Sequence, residues 1–367
     1  MKILFIYKNE FVEPLGIMSL SAYLKKNGHK CYFLDAQFER DIIGEAGKIS
    51  PGIIAYSVMT GKHKYYRELN ARLKKQFKFF SVFGGPHCTF FPDFINEEGV
   101  DAVCRGEGEA ALLELANGLE RGSGISAIKN LWVKSCGKVH KNDLRDLTED
   151  LDSLPFPDRE LINKYNHYRL MPRRGVMTGR GCPYACTYCF NHSYHSLYRD
   201  KGSVIRRRSV GNVIEELRQL KETCKPRRFH FWDDTFNLDR EWVADFCDAY
   251  RKEVGLPFLV NIRMNLVEDG SIKALKDAGC ITVVTAIESG DEHIRNNILK
   301  RNMTEKQILD ACSVFRKHGL KIYIGNMIGL PDETLDMSFK TVELNARCKP
   351  SYSNVSIYMP YPGTELC

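Results

Sequence analysis

The chain has no run of the roughly 18 apolar residues that a membrane-spanning helix needs, and its N-terminal apolar stretch stops at Lys8, too short for a secretory leader. It has no internal repeat and no low-complexity segment, so the 367 residues read as globular and long enough for two domains with substantial cores. Gly-x-Gly-x-x-Gly is missing, which leaves a nicotinamide or flavin site without support. The 13 cysteines are mostly scattered singly, unlike the dense framework of a secreted disulfide scaffold. Together these absences agree with a protein of the reducing cytoplasm.

A formal charge of +7 is concentrated locally at Arg206-Arg207-Arg208, Arg173-Arg174 and Arg227-Arg228. Such runs are ordinarily solvated faces, and with no RNA-binding module beside them nucleic acid is not an expected partner. Arg206 to Arg208 fall shortly before a helical pattern, where an acidic or phosphorylated substrate would suit them.

One cluster of cysteines breaks the scatter. Cys182, Cys186 and Cys189 lie in Thr178-Gly-Arg-Gly-Cys-Pro-Tyr-Ala-Cys-Thr-Tyr-Cys-Phe-Asn191, a C-x3-C-x2-C spacing. Iron-sulfur clusters are usually held by four cysteines; three thiolates with no fourth nearby leave one iron open to a substrate or cofactor. His192 and His195 follow closely, so a Cys3His zinc knot uses the same residue types, and a non-catalytic metal or cobalamin sensor is the reading from another class. The loop follows the short strand pattern Gly175 to Thr178, and loops after parallel strands are where α/β sites lie.

This loop resembles the C-x3-C-x-aromatic-C signature of the radical S-adenosylmethionine (SAM) enzymes, with Tyr188 at the aromatic position. The resemblance implies a 4Fe-4S cluster on Cys182, Cys186 and Cys189 and a SAM molecule chelating the open iron. An electron from the reduced cluster then splits SAM to a 5'-deoxyadenosyl radical. By the same resemblance Tyr188 and the backbone of Phe190 sit beside the adenine.

Downstream, six strand patterns alternate with helix patterns: Gly175 to Thr178, Phe229 to Trp232, Phe258 to Ile262, Ile281 to Ile287, Lys321 to Met327 and Asn354 to Met359. Between them Val213, Leu217 and Leu220, then Val243, Cys247 and Tyr250, then Ile308, Cys312 and Phe315 form apolar helix faces. This predicts a partial (βα)6 TIM-type barrel over residues 171–367. Polar residues follow the strands, on what would be the catalytic rim: Asp233 and Asp234, then Arg263, then Glu288, Ser289 and Gly290. An Asp pair is otherwise an ordinary cap or turn. In the family an acidic segment, often Gly-Gly-Glu, receives the SAM amino group, and Asp233-Asp234 stands in its place. Arg263, Glu288 and Ser289 resemble positions that contact the SAM carboxylate and ribose, and Gly325 to Pro331 the segment beside the adenine.

Residues 1–140 read as an α/β, Rossmann-like, doubly wound parallel sheet. Its strands are Lys2 to Tyr7, Lys30 to Leu34, Ile53 to Ser57 and Phe79 to Phe83, with a helix carrying Leu20, Tyr23 and Leu24 on one face. Leu131 to His140 suggests a small hairpin, and residues 141–170, with Leu-Asp-Ser-Leu-Pro-Phe-Pro, an extended linker. Three glycine-bearing turns permit close backbone approach to a ligand: Pro14-Leu15-Gly16, Gly84-Gly85-Pro86-His87 and Gly106-Glu107-Gly108-Glu109.

With Ser57 and Thr60, these turns resemble the cobalamin-binding domain found ahead of many radical SAM barrels, over about residues 1 to 125. The Asp-x-His-x-x-Gly string that supplies cobalt's lower histidine is absent, as in the radical SAM subgroup, and His87 reads better as a turn residue than as a cobalt ligand. The final Tyr358 to Cys367 resembles the end of the sixth barrel strand, after which relatives usually continue with a further domain.

These resemblances imply a cobalamin-dependent radical SAM enzyme that abstracts a hydrogen from a small-molecule or peptide substrate and methylates an unactivated carbon. A flavodoxin or ferredoxin is the implied reductant. An oxidative cyclase of the anaerobic magnesium-protoporphyrin ester cyclase type shares the layout. A tRNA methylthiotransferase would need a second cluster, and Cys31, Cys88 and Cys104 lack its motifs.

Overall fold

Short β-branched and aromatic runs, each leading into an amphipathic helix, build both halves of the chain. In the computed structural model, which describes residues 1–8 and 12–367, they form two units: Met1–Leu147 with Ser153–Leu170, and Thr148–Asp152 with Met171–Cys367.

The first unit contains β1 (Lys2–Tyr7), β2 (Lys30–Asp35), β3 (Ile53–Ser57), β4 (Phe80–Gly84), β5 (Ala102–Cys104), β6 (Leu131–Ser135) and β7 (Lys138–Lys141). They make one sheet in the order β2-β1-β3-β4-β5-β6-β7, parallel through β5 and antiparallel at β6 and β7. The chain reverses its direction of winding at β1, so a crevice opens beyond the strand ends between β1 and β3. The hairpin of β6 and β7 extends this sheet through β5, a strand of three residues too short to show a pattern in the sequence.

On the helix Leu15–Lys26 the buried residues are Ile17, Met18, Ser21 and Leu24; Leu20 and Tyr23 are half-buried. Ser21 is tolerated inside because its hydroxyl donates to Asp158 Oδ2 at 2.6 Å. That contact belongs to a wider one. Residues 153–170, read from sequence as extended linker, fold onto the first unit: Leu161, Ile162 and Tyr168 are buried, Tyr168 Oη donates to Asp35 Oδ2 at 3.0 Å, and Arg159 pairs with buried Glu13 at 3.1 Å.

The second unit contains β8 (Arg173–Val176), β9 (Gly179–Arg180), β10 (Arg206–Arg207), β11 (Arg228–Phe231), β12 (Phe258–Asn261), β13 (Cys280–Glu288), β14 (Lys321–Ile328) and β15 (Tyr352–Ile357). Six of them form a sheet in chain order, β8-β11-β12-β13-β14-β15, with every neighbour parallel. This is a partial barrel, with no pairing between β8 and β15 among the described residues. Phe229, Phe231, Val260, Ile322 and Ile324 point to the helix side and pack with Val213, Leu217, Phe246, Tyr250, Ile308 and Phe315. Each such buried side chain contributes about 1.5–3 kcal/mol of transfer free energy. All strands run the same way, so their carboxyl ends, and the loops that follow, share one rim.

Candidate active site

The loop from β9 to the helix Phe190–Leu197 carries the three cysteines, and two glycines set its shape. β9 and β10 pair as an antiparallel ribbon so close that a Cβ at Gly179 would lie 2.7 Å from Arg206 O, and one at Gly181, where φ is +90°, 2.1 Å from Val204 O. Only glycine meets both conditions. Past the ribbon, Cys182 Sγ lies 3.6 Å from Thr235 Oγ1. The Cys189 N–H donates to Cys186 O at 3.1 Å, closing a turn between the second and third cysteines.

All three cysteines are free thiols. Burial pushes the Cys189 thiol up to about 11 and raises that of Cys182; in both, a charge on a neighbouring cysteine of the triad adds to the rise, which places the sulfurs in one electrostatic neighbourhood. Such thiols stay protonated until a metal displaces the proton. His195 Nε2 lies 2.6 Å from Cys182 O and His192 Nε2 3.4 Å from Glu365, so each imidazole already has a protein partner. Three soft donors on one loop fit a cluster, which spreads its ligands over separate irons.

The acidic pair after β11 separates into two environments. Asp233 is buried, and its carboxylate accepts from Thr178 N at 3.1 and 3.2 Å and from Thr178 Oγ1 at 2.6 Å. It ties β11 to the start of the cysteine loop. Asp234 is exposed but walled in by protein, and this desolvation raises its carboxyl pKa against the opposing Asn191 hydrogen bond. The carboxylate open to a ligand is therefore that of Asp234. Arg207 Nη2 donates to Phe236 O at 3.0 Å, bracing the same loop.

At the end of β13 the chain departs from regular strand geometry: the register with β14 shifts between Ala286 and Glu288, and Glu288 adopts φ +69°. Its Oε1 accepts from Tyr188 Oη at 2.8 Å, and Arg301 Nη1 donates to that phenol oxygen at 3.0 Å. Ser289 is fully buried; its Oγ accepts from Asp291 N at 3.3 Å, and its carbonyl from Arg295 Nη1 at 2.9 Å. Phe190 opens the helix after the triad, with its ring 6.0 Å from that of Tyr361.

Arg263, after β12, stacks its guanidinium 3.5 Å from the Tyr184 ring centroid and reaches Cys186 Sγ at 3.9 Å. Arg301, Tyr184 and Asn237 belong to this neighbourhood and carry no signature in the sequence. The Arg206-Arg207-Arg208 run is not a solvated face: Arg206 Nη1 donates to Thr148 O at 2.7 Å and Arg208 Nη1 to Glu216 at 2.6 Å. These guanidiniums are committed to holding the fold.

In the first unit the glycine turns gather at the carboxyl edge of the parallel strands. Gly85, at φ +89°, passes so near β3 that a Cβ would sit 2.8 Å from Val58 N, whereas at Gly16 a Cβ would meet nothing within 4 Å. Pro14 and Leu15 open the helix after β1, Ser57 and Gly84 end β3 and β4, and Pro86 starts the short helix Pro86–Phe90. His87 is buried, bonded through Nδ1 to Thr60 Oγ1 at 3.2 Å and stacked on His63 at 4.3 Å. Gly106 N donates to Thr89 Oγ1 at 3.0 Å, Glu107 O accepts from Asn130 at 2.7 Å, and Gly108 caps the helix that begins at Glu109. Exposed Gly16, at the β1 end of this edge, leaves the backbone at the helix start open to close approach by a ligand.

A three-cysteine loop on the carboxyl rim of a parallel partial barrel defines an iron-sulfur enzyme of the SAM-cleaving class. Residues 176–344 match the radical SAM superfamily and residues 1–116 the B12 binding domain. The chain belongs to the radical SAM superfamily, in the branch that carries a B12-binding domain, with a 4Fe-4S cluster, SAM and cobalamin as its cofactors.

It is 32% identical over 364 residues to an uncharacterized methyltransferase of Pyrococcus horikoshii, covering 96% of this chain and 77% of that one. The anaerobic magnesium-protoporphyrin IX monomethyl ester cyclase of Rubrivivax gelatinosus is 24% identical, covering 100% and 69%, and the hopanoid C-3 methylase of Methylococcus capsulatus 25%, covering 96% and 68%. In fold the chain is similar to the radical SAM methyltransferase TsrM of Kitasatospora setae, with TM-score 0.82, 17% identity and coverage of 100% and 73%. No helix among the described residues is long and apolar enough to cross a membrane.

Proposed function

We propose that the protein is a cobalamin-dependent radical SAM methyltransferase acting on an unactivated carbon of a small-molecule or peptide substrate. The observation that carries this is the three-cysteine loop beside Asp234 and Glu288 on one barrel rim, in a chain that also has a B12-binding domain. The relatives named as methyltransferase and methylase support the choice of reaction. When bound, the cluster with SAM supplies a carbon-centred radical, and cobalamin a transferable methyl group.

The chain's own residues bind and orient. Cys182, Cys186 and Cys189 would hold the cluster. Asp234 would receive the SAM amino group while Asp233 fixes the loop, and Glu288, oriented by Tyr188, would take the ribose hydroxyls. Phe190 would flank the adenine. Pro14, Leu15, Gly16, Ser57, Gly84 and Gly85 would line the cobalamin, with Thr60, Pro86, His87 and the segment Gly106 to Glu109 supporting that edge. A flavodoxin or ferredoxin in an oxygen-free cytoplasm would supply the electron.

Anaerobic reconstitution tests the reading: about four irons per chain, a corrinoid retained through gel filtration, and 5'-deoxyadenosine formed from SAM. Cys186→Ala abolishes that product, and continued production by the folded variant would rule the assignment out. The cyclase relative keeps oxidative cyclisation as the rival reaction; failure to transfer labelled methyl from SAM while cleaving it favours that rival.

A further inference from the structure

Arg263 is a buried cation, 6% exposed, and among the described residues no carboxylate lies within ion-pair distance of it. Its place is fixed from several sides. Its backbone N–H donates to Asn237 Oδ1 at 3.0 Å and its carbonyl accepts from Asn237 Nδ2 at 3.1 Å. Nε donates to Asn265 Oδ1 at 2.8 Å and Nη2 to the Arg301 carbonyl. Nη1 faces Cys186 Sγ at 3.9 Å, and the Tyr184 ring covers the guanidinium plane at 3.5 Å.

The amide and carbonyl acceptors are neutral, and a buried charge needs a counter-charge. The group that the remaining nitrogen, Nη1, faces is the sulfur of Cys186, itself 6% exposed. Nε and Nη2 are already engaged, so this geometry differs from a guanidinium held open for a SAM carboxylate.

We propose that Arg263 is the charge partner of the Cys186 corner of the cluster and that it raises the cluster's reduction potential. The proposal rests on the cluster reading of the three cysteines. Reduction adds one electron, [4Fe-4S]2+ to [4Fe-4S]+, drawn from a low-potential one-electron donor such as dithionite; no proton moves and no bond breaks. The reduced form carries more negative charge, so a fixed cation in a weakly screened site stabilises it over the oxidised form. Arg263 is thus a positioning and tuning residue: it acts on the cluster through a ligand.

The test is anaerobic potentiometric titration of the reconstituted full chain without SAM, followed by the electron paramagnetic resonance of the reduced cluster. Arg263→Gln is expected to keep its iron and sulfide and to lower the reduced-to-oxidised ratio at fixed potential at least tenfold, a shift of about 59 mV for one electron. Arg263→Lys, which keeps the charge, recovers most of that shift. A fully loaded Arg263→Gln protein with the wild-type potential overturns the proposal, even if SAM binding weakens.

Should Arg263→Gln fail to fold, Tyr184→Leu removes the covering ring while leaving the cation. It is then expected to move the potential in the same direction by about threefold in that ratio, and an unmoved potential overturns the proposal. Wild-type protein that takes up no iron and sulfide defeats the cluster reading itself, an outcome separate from a loaded cluster whose potential ignores Arg263.

Discussion

Tyr188 and Glu288, 100 residues apart, meet through a 2.8 Å hydrogen bond from phenol to carboxylate. Burial, foremost, raises the phenol pKa well above its ordinary value, so Tyr188 remains a donor. The bond joins the cysteine loop to the end of β13, where Glu288 has a left-handed backbone conformation beside the register shift.

Tyr188→Phe removes this donor and leaves Glu288 and Arg301 to rearrange. Losing one partner of a buried polar pair costs about 1–3 kcal/mol. SAM affinity is expected to fall about tenfold or more with cluster content retained, measured by anaerobic equilibrium binding.

Substitutions at the two acidic neighbours are expected to behave differently. Asp233→Asn keeps one carbonyl acceptor for the Thr178 N–H and hydroxyl, so it destabilises the fold by about 1–3 kcal/mol and reduces cluster retention, seen by urea titration and iron analysis. Asp234→Asn leaves the melting profile unchanged and weakens SAM binding. Equal effects on stability would refute this division of roles.

Gly181→Ala forces a methyl group against Val204 O in a conformation that alanine resists. A cost of about 1–3 kcal/mol and loss of most bound iron are expected, from separation of the β9–β10 ribbon. Gly211→Ala is the matched control, because a Cβ there meets nothing within 4 Å; as a helical position it gains up to about 1 kcal/mol. Thermal melts with iron quantification distinguish the two.

Stability also responds to acid through His230. Burial pulls its pKa down to about 4; the Asn261 hydrogen bond opposes this, and Arg173 and Arg228 add to it. The unfolded chain protonates this histidine near its ordinary 6.5, before the folded chain does. Stability from this group is therefore complete above about pH 6.5 and is lost as pH falls toward 4, by up to about 3 kcal/mol. In urea titrations at pH 7.5 and 5.0, His230→Gln should lose about 2 kcal/mol less than wild type between the two conditions; identical losses would exclude this origin.

Much of this architecture was legible because its signals are periodic or local. Val213, Leu217 and Leu220 repeat at helical spacing and are buried as that spacing implies, and the cysteine loop is a contiguous string. What stayed hidden depends on long-range closure. Arg301 reaches Tyr188 across 113 positions, and no local pattern marks either end of such a contact. The β9–β10 ribbon has two residues per strand, and residues 153–170 look like a linker because their prolines outweigh a few apolar anchors that only the folded first unit reveals. Arginine runs mislead for a similar reason: adjacency in sequence says nothing about the carbonyls that wait for each guanidinium.

The contact between Arg263 and Cys186 spans 77 residues. During synthesis at about 5–20 residues per second, the thiols emerge from the ribosome roughly 4–15 s before their cation exists. The three ligands therefore precede the residue that tunes them, and a cluster takes its final potential only once β12 and the loop after it have folded.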